Sequence, residues 1–177
     1  MDLSIVTTLY CSAAYVENFY ARVCAAAEKI TRRFEIIFVN DGSPDNSLAI
    51  ALSLHHKDKR IKIVNLSRNF GHHQALMTGL EYARGELIFL VDSDLEEEPE
   101  LLETFHAEFT ASGADVVFGV QGKRKGNYFE RVSGAVFFKV FNLLSTHPIP
   151  TNHMTARLMT RRYVAALLRH RPTAEYG

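Results

Sequence analysis

The stretch Glu86-Leu87-Ile88-Phe89-Leu90-Val91-Asp92-Ser93-Asp94-Leu95-Glu96-Glu97-Glu98-Pro99-Glu100 decides the fold. Five consecutive apolar residues, Leu87 to Val91, show no polar alternation, so they read as a strand buried on both faces. Asp92 and Asp94 follow immediately beyond its carboxyl end, at the rim where open α/β sheets bind ligands. Two carboxylates one residue apart can converge on one ion. Six acidic residues fall between Asp92 and Glu100, and so much like charge beside a packed edge calls for solvent or a cation. Glu97, Glu98 and Glu100 are expected to open the next helix, where carboxylates suit the positive end of the dipole and Pro99 suits the first turn. Asp92 and Asp94 are expected to hold a divalent metal.

The same rhythm recurs on either side. Leu3 to Thr8 reads as a first strand and Ala14 to Ile30 as a helix, with Val16, Phe19, Val23, Ala27 and Ile30 at helical spacing. Phe34 to Val39 is a second buried strand. It ends in the turn-rich loop Asn40-Asp41-Gly42-Ser43-Pro44-Asp45, where Ser43 or Asp45 is expected to cap a helix over 46–57. Ile61 to Leu66 gives a third strand, followed by Ser67-Arg68-Asn69-Phe70-Gly71 and a helix from His72 to Ala83. Gly85 breaks that helix before the central strand. A helix from Pro99 to Ser112 and a fifth strand from Ala114 to Gly119 complete the series.

Strands alternating with helices over short connections predict a single α/β domain, a Rossmann-like, mostly parallel sheet flanked by helices. Right-handed crossovers then bring the carboxyl ends of the strands to one edge, which gathers Tyr10, Asp41, Arg68, Asp92 and Asp94. An aromatic face, carboxylates and an arginine in one crevice make a site for a nucleotide with its metal. There is no Gly-x-Gly-x-x-Gly after the first strand and no Gly-Lys-Ser/Thr phosphate loop, which argues against a dinucleotide-dependent dehydrogenase or a P-loop phosphohydrolase. Phosphates would have to be held by metal and side chains.

A chain of 177 residues fits one domain with a sizeable core, and zero net charge argues against a general nucleic-acid binder. The balance hides a division. Residues 1–122 hold 10 Lys and Arg against 18 Asp and Glu, a net of −8; residues 123–177 hold 10 against 2, a net of +8. Either an acidic, cation-holding part faces a basic part that receives phosphate, or the charges merely spread over a globular surface. Cys11 and Cys24 are too few for a disulfide framework or a thiolate metal site, and buried free thiols are expected. The paired His55-His56 and His72-His73 point apart on a helix, which suits exposed or capping roles, although His72 follows Gly71 and can approach a nucleotide. No apolar run approaches the ~20 residues of a membrane span and no secretory signal is evident, so a cytoplasmic protein is expected.

After residue 122 the alternation stops. Lys123-Arg124-Lys125-Gly126-Asn127 is a basic turn, and Tyr128 to Ser145 reads as a strongly apolar helix with Phe129, Val132, Val136, Phe137, Phe138, Val140 and Phe141 on more than one face. Core burial is one role for it; contact with a membrane surface or lipid chain, with Arg131 and Lys139 at headgroup level, is the other. Ala156 to Met159 reads as a short strand and Arg161 to Arg171 as a final helix. The chain is expected to be part of a longer protein that continues beyond Gly177.

With these residues in place, the sequence resembles glycosyltransferase family 2, the inverting nucleotide-sugar transferases with the A-type fold. Within it, the chain looks most like the dolichol-phosphate mannosyltransferases and bacterial polyprenyl-phosphate glycosyltransferases. The landmarks are Ser4-Ile5-Val6-Thr7-Thr8-Leu9-Tyr10, Val39-Asn40-Asp41-Gly42-Ser43 with Asp45 and Ser47, Leu66-Ser67-Arg68-Asn69-Phe70-Gly71-His72, Ala83-Arg84-Gly85, and Asp92-Ser93-Asp94-Leu95-Glu96 with Pro99-Glu100. A lone Asp-x-Asp is a weak signal; five landmarks in order, each tied to the strands, are a strong one.

The resemblance implies a nucleotide-sugar-binding half over residues 1–122 and a basic, aromatic acceptor-side segment over 123–177. Tyr10 and Asp41 would hold the nucleotide base by stacking and hydrogen bonding, with Arg68 and Asp92 also at the nucleotide. Asp92, Asp94 and Glu96, the last standing where similar enzymes often have Gln, would bind Mg2+ or Mn2+ at the diphosphate. Arg124, Arg131 and Arg157 look like the arginines that grip donor or acceptor phosphates, with Asp94 and Arg157 at the centre of the transfer. The implied partners are a nucleoside-diphosphate sugar and a lipid-phosphate acceptor or membrane surface, with the full-length protein at the cytoplasmic face of a membrane.

Three departures stand out. The family usually has Pro at Thr8 and Asn-Glu at Cys11-Ser12. Its Asp-Phe-Arg-Leu-Met is Thr155-Ala156-Arg157-Leu158-Met159 here, so a general base is not evident. Transfer onto a hydroxyl needs such a base, whereas an ionised phosphate acceptor does not. Two other classes compete: a non-catalytic binding or assembly module with the same fold, and a response-regulator-like phosphoacceptor domain. The last would need an Asp pair after the first strand, where Tyr10-Cys11-Ser12 stands.

Overall fold

The computed structural model describes residues 1–120 and 153–170. Six strands form one sheet in the order β3-β2-β1-β4-β6-β5. They are β1 (Leu3–Leu9), β2 (Phe34–Asn40), β3 (Ile61–Asn65), β4 (Leu87–Leu90), β5 (Val116–Val120) and β6 (His153–Thr160). Between them run α1 (Val16–Glu28), α2 (Ser47–Lys57), α3 (His72–Tyr82) and α4 (Leu101–Ser112), and α5 (Arg161–Arg169) follows β6.

The four strands β3, β2, β1 and β4 pair in parallel, with β1, β2 and β4 as the buried apolar runs and β3 at the sheet's partly exposed edge. All seven residues of both β1 and β2 are buried. Side chains alternate between two cores. Leu3, Ile5 and Leu9 of β1 face α1, α2 and α4 through Phe19, Val23, Leu54, Leu102 and Phe105, while Val6 faces α3 and α5 through Ala75, Leu76, Leu80 and Val164. Phe19 meets Phe38 edge-on with ring centres 6.2 Å apart, and Phe89 meets Phe105 at the same distance.

The far side of the sheet corrects the sequence reading. The short strand expected at Ala156 to Met159 is eight residues long, and it lies antiparallel between β4 and β5, with Leu90 opposite Arg157 and Phe118 opposite Arg157. The sheet is therefore mixed, and the fifth strand of the series is separated from the fourth. The helix expected from Pro99 begins at Leu101, and Glu97 is not part of it. The apolar helix expected over Tyr128 to Ser145 and the basic turn at 123–127 lie outside the described residues.

At the amino-terminal edge, the Ala83-Arg84-Gly85 landmark proves structural. Ser4 Oγ accepts from the N–H groups of Arg84 (3.0 Å) and Gly85 (2.7 Å) and donates to Glu35 Oε1 (2.6 Å), which also accepts from Arg84 N (2.7 Å). Lys62 Nζ pairs with Glu35 Oε2 as an ion pair. Burial acts to raise the Glu35 pKa, but the hydrogen bonds from Lys62, Ser4 and Arg84 outweigh it and hold it below the usual carboxylate value. A side chain at Gly85 would place its Cβ 2.4 Å from Ser4 N, so only glycine lets β4 start here.

Candidate active site

The opposite, carboxyl-terminal edge carries the loops that follow β1, β2, β3 and β4. Beyond β1 the chain turns sharply, with Cys11 at φ +53°. This turn is pinned by the β2–α2 loop: Cys11 N donates to Ser43 Oγ (2.8 Å), Ser12 N to Ser47 Oγ (3.0 Å) and Ala13 N to Asp45 Oδ2 (2.9 Å). Asp45 Oδ1 accepts in turn from Ser43 Oγ, Ser47 Oγ and Ser47 N. Burial acts to raise the Asp45 pKa, and these hydrogen bonds outweigh it, leaving the carboxyl well below its usual range. Asp45 thus serves the start of α2, as expected, and also holds the first loop. Tyr10 projects from that loop with its ring half exposed, and Cys11 is exposed rather than buried, while Cys24 is buried.

Asp41 is 1% exposed, and both its oxygens accept from the next loop, Oδ1 from Phe70 N (2.7 Å) and Oδ2 from Gly71 N (3.1 Å). It seats the Arg68-to-Gly71 turn against β2. Gly42, at φ +61°, makes that approach feasible, because a Cβ there would lie 2.5 Å from the Arg68 carbonyl carbon and Asn69 N. Arg68 is exposed, its guanidinium 4.8 Å from the Phe70 ring centre.

After β4 the side chains divide. Ser93 turns inward and donates to the Thr8 carbonyl (2.8 Å), which leaves Asp92 and Asp94 on its two sides at the sheet edge. Asp94 is exposed and its Oδ1 accepts from Glu96 N (3.0 Å); Glu96 itself is exposed. Asp92 is only 25% exposed in its side chain. Its buried Oδ1 makes no hydrogen bond, though His72 Nε2 lies 3.4 Å away. Desolvation raises the Asp92 pKa, aided by the nearby Asp94 and opposed by His72, Thr155 and Arg157.

The antiparallel strand completes this corner. Glu97, 7% exposed, accepts from Thr155 N (2.7 Å, Oε1) and Ala156 N (2.6 Å, Oε2) and so clamps the start of β6 to the acidic loop. Arg157 Nε donates back to the Thr155 carbonyl at 3.1 Å. Thr155 and Arg157 consequently stand beside Asp92, as their influence on its acidity reflects. Asp92, Asp94 and Arg157 thus come together, with Tyr10, Asp41 and Arg68 on adjoining loops; Arg124 and Arg131 lie outside the described residues. Glu97 escaped the sequence reading, since a carboxylate beside Pro99 looks like the start of a helix and nothing local signals its burial.

A divalent cation fits this corner on chemical grounds. The donors are carboxylate oxygens, which suit a hard ion, and one buried oxygen of Asp92 has no hydrogen bond. Among the described residues no three His, Cys, Asp or Glu side chains gather as a complete metal site, so other ligands would have to fill the shell. No helix among the described residues is long and apolar enough to cross a membrane.

The strand order, with an antiparallel strand at one side of an otherwise parallel sheet, defines a mixed α/β fold. The chain belongs to glycosyl transferase family 2, whose model matches residues 4–168. It is 51% identical over 170 residues to a Mycobacterium tuberculosis protein described as putative glycosyltransferases, covering 96% of this chain and 50% of that one. It is 29% identical over 169 residues to the undecaprenyl-phosphate 4-deoxy-4-formamido-L-arabinose transferase of Pectobacterium atrosepticum, covering 95% of this chain and 51% of that one. The chain therefore spans about half the length of these curated relatives. Its fold matches that of the mannosyltransferase PcManGT from Pyrobaculum calidifontis in complex with GDP-Man and Mn2+, with a TM-score of 0.64 at 16% identity, over 93% of this chain and 46% of that one.

Proposed function

We propose that this chain is the donor-binding part of an inverting, metal-dependent glycosyltransferase that moves a sugar from a UDP- or GDP-linked donor to a polyprenyl phosphate or cell-envelope glycan. The observation that carries this reading is the acidic pair after β4, with the buried Asp92 oxygen left without a hydrogen bond beside Asp94. Support comes from the relative named for undecaprenyl phosphate and from the like-folded mannosyltransferase in complex with GDP-Man and Mn2+.

In this reading Tyr10 stacks on the base beside the turn that Asp41 seats, Arg68 and Asp92 serve the rest of the nucleotide, and Asp92 and Asp94 hold Mg2+ or Mn2+, with Glu96 joining them only by a movement of its loop. When bound, such a cation offsets the charge developing on the departing nucleoside diphosphate. Arg157, held at the corner by its bond to Thr155, orients a phosphate oxygen, with Arg124 and Arg131 of the 123–177 segment as further phosphate partners. An ionised phosphate acceptor attacks the anomeric carbon without a general base, which agrees with Thr155 at the position of the family's acid. The acceptor segment would lie toward a membrane surface on its cytoplasmic side.

Calorimetric titration with UDP- and GDP-sugars, with and without Mn2+, tests the reading. Binding that needs the metal, and that Asp94→Ala reduces to its metal-free level, is the expected result; no binding of any nucleotide overturns it. Thr155 also favours a second reading, a binding module that keeps the donor but has lost transfer. Sugar transfer or donor hydrolysis by the full-length protein excludes that alternative.

A further inference from the structure

Three side chains from three parts of the chain, Thr8, His72 and Asp92, stand in line in a way that the donor reading leaves unused. Thr8 of β1 is almost buried, and its Oγ1 lies 3.2 Å from Nδ1 of His72, the first residue of α3. The other ring nitrogen, Nε2, lies 3.4 Å from Asp92 Oδ1. The His72 side chain is 52% exposed, so packing alone does not fix the ring. Polar groups face both of its nitrogens. The same Thr8 accepts, through its carbonyl, the hydroxyl of Ser93, the next residue after Asp92.

The chemistry of the contacts sets the direction of the protons. An ionised carboxylate only accepts, so the ring nitrogen facing Asp92 is the one that carries hydrogen. In the neutral ring Nδ1 is then an acceptor, and the Thr8 hydroxyl is the group able to donate to it. We propose that Thr8 and His72 are positioning residues for Asp92: Thr8 sets the His72 ring with Nε2–H outward, and that N–H, which faces Asp92 Oδ1 at 3.4 Å without a hydrogen bond here, draws the carboxylate electrostatically toward the orientation that the cation and nucleotide meet. Asp94, Thr155 and Arg157 also influence the same carboxylate. The inference rests on the proposed donor site for its purpose, but the contact itself does not.

Two measurements on the full-length protein decide it. The first is calorimetric titration of MnCl2 in the presence of UDP or GDP. His72→Ala weakens the metal about 10-fold, the lower end for losing a partner that orients a metal ligand. His72→Gln, which keeps a donor toward Asp92, recovers most of that loss. Thr8→Val weakens the metal a few-fold in the native background and not at all in His72→Ala, while Thr8→Ser is close to native. Native affinity in His72→Ala, or losses from Thr8→Val and His72→Ala that simply add, overturn the proposal. The second is the nitrogen NMR spectrum of the histidine rings without nucleotide. His72 is expected as the Nε2–H tautomer, shifted by Thr8→Val and Asp92→Asn; an Nδ1–H tautomer overturns the proposal. If the native protein binds no nucleotide, the donor reading fails alone and the tautomer decides the contact.

Discussion

A buried carboxylate and a partly buried one stand at the two edges of this sheet, and their surroundings are opposite. Glu35, at the amino-terminal edge, is met by Ser4 Oγ, the Arg84 N–H and the Lys62 ammonium, and its acidity is strengthened. Each has a buried oxygen without a hydrogen bond, but that of Glu35 faces the Lys62 ammonium in a close ion pair, whereas that of Asp92, at the carboxyl-terminal edge, faces only the His72 ring at 3.4 Å, and its acidity is weakened by desolvation. One group is satisfied by the fold and stabilises it. The other is left under-satisfied, and proteins retain that condition chiefly where a ligand completes the shell. The contrast separates a carboxylate that the fold consumes, as it also consumes Asp41 and Glu97, from one left available for chemistry.

The contrast breaks most visibly at Glu35. Glu35→Ala leaves the Ser4 hydroxyl and the Arg84 N–H without their acceptor, while the partly exposed Lys62 can turn to water, and is expected to cost about 3 kcal/mol, read as a lower midpoint in urea. A comparable loss, about 3–5 kcal/mol, is expected for Phe38→Ala, which empties the centre of the core beside Phe19 without touching either edge. The pH dependence follows from the sign of the Glu35 shift. Its folded pKa lies below the ordinary 4.5, so its stabilisation is complete above that value and is lost as the pH falls through the folded pKa. Acid unfolding monitored by circular dichroism should therefore flatten in Glu35→Gln relative to the native chain.

Asp92→Asn should act in the other direction. Removing a desolvated charge raises metal-free stability by about 1 kcal/mol in the same urea assay while donor binding falls. A destabilised Asp92→Asn would remove the distinction between the two edges. The smallest effect belongs to the surface. Arg22→Ala deletes the bidentate pair with Glu100, whose partners are both partly exposed, and should change stability by no more than about 1 kcal/mol.

Much of this was legible in the letters, for a physical reason. A strand covered on both faces must be a run of apolar residues, so Leu87–Leu90 and Phe34–Asn40 announce themselves, and the residues just beyond them inherit their place at the edge from topology. The strand His153–Thr160 does not, because its mixture of Thr, Arg, His and Met acquires a place only by pairing with β4 and β5. Glu97 was misread for the same reason. Its burial is imposed by Thr155 and Ala156, far away in the chain, and no local pattern encodes it. Asp41 was placed at the correct loop, yet its tie to Phe70 and Gly71 emerges only when the third loop folds back over the second.

The late strand between β4 and β5 has a consequence for how the molecule is made. During synthesis Leu87–Leu90 emerges well before its antiparallel neighbour, so a nascent chain presents an apolar ribbon with one open edge. Glu97 and its neighbouring acids sit at the end of that ribbon, where like charge discourages another chain from adding to it. The cluster that reads as a cation site in the finished protein would thus also act as a guard against aggregation while the protein is still being born.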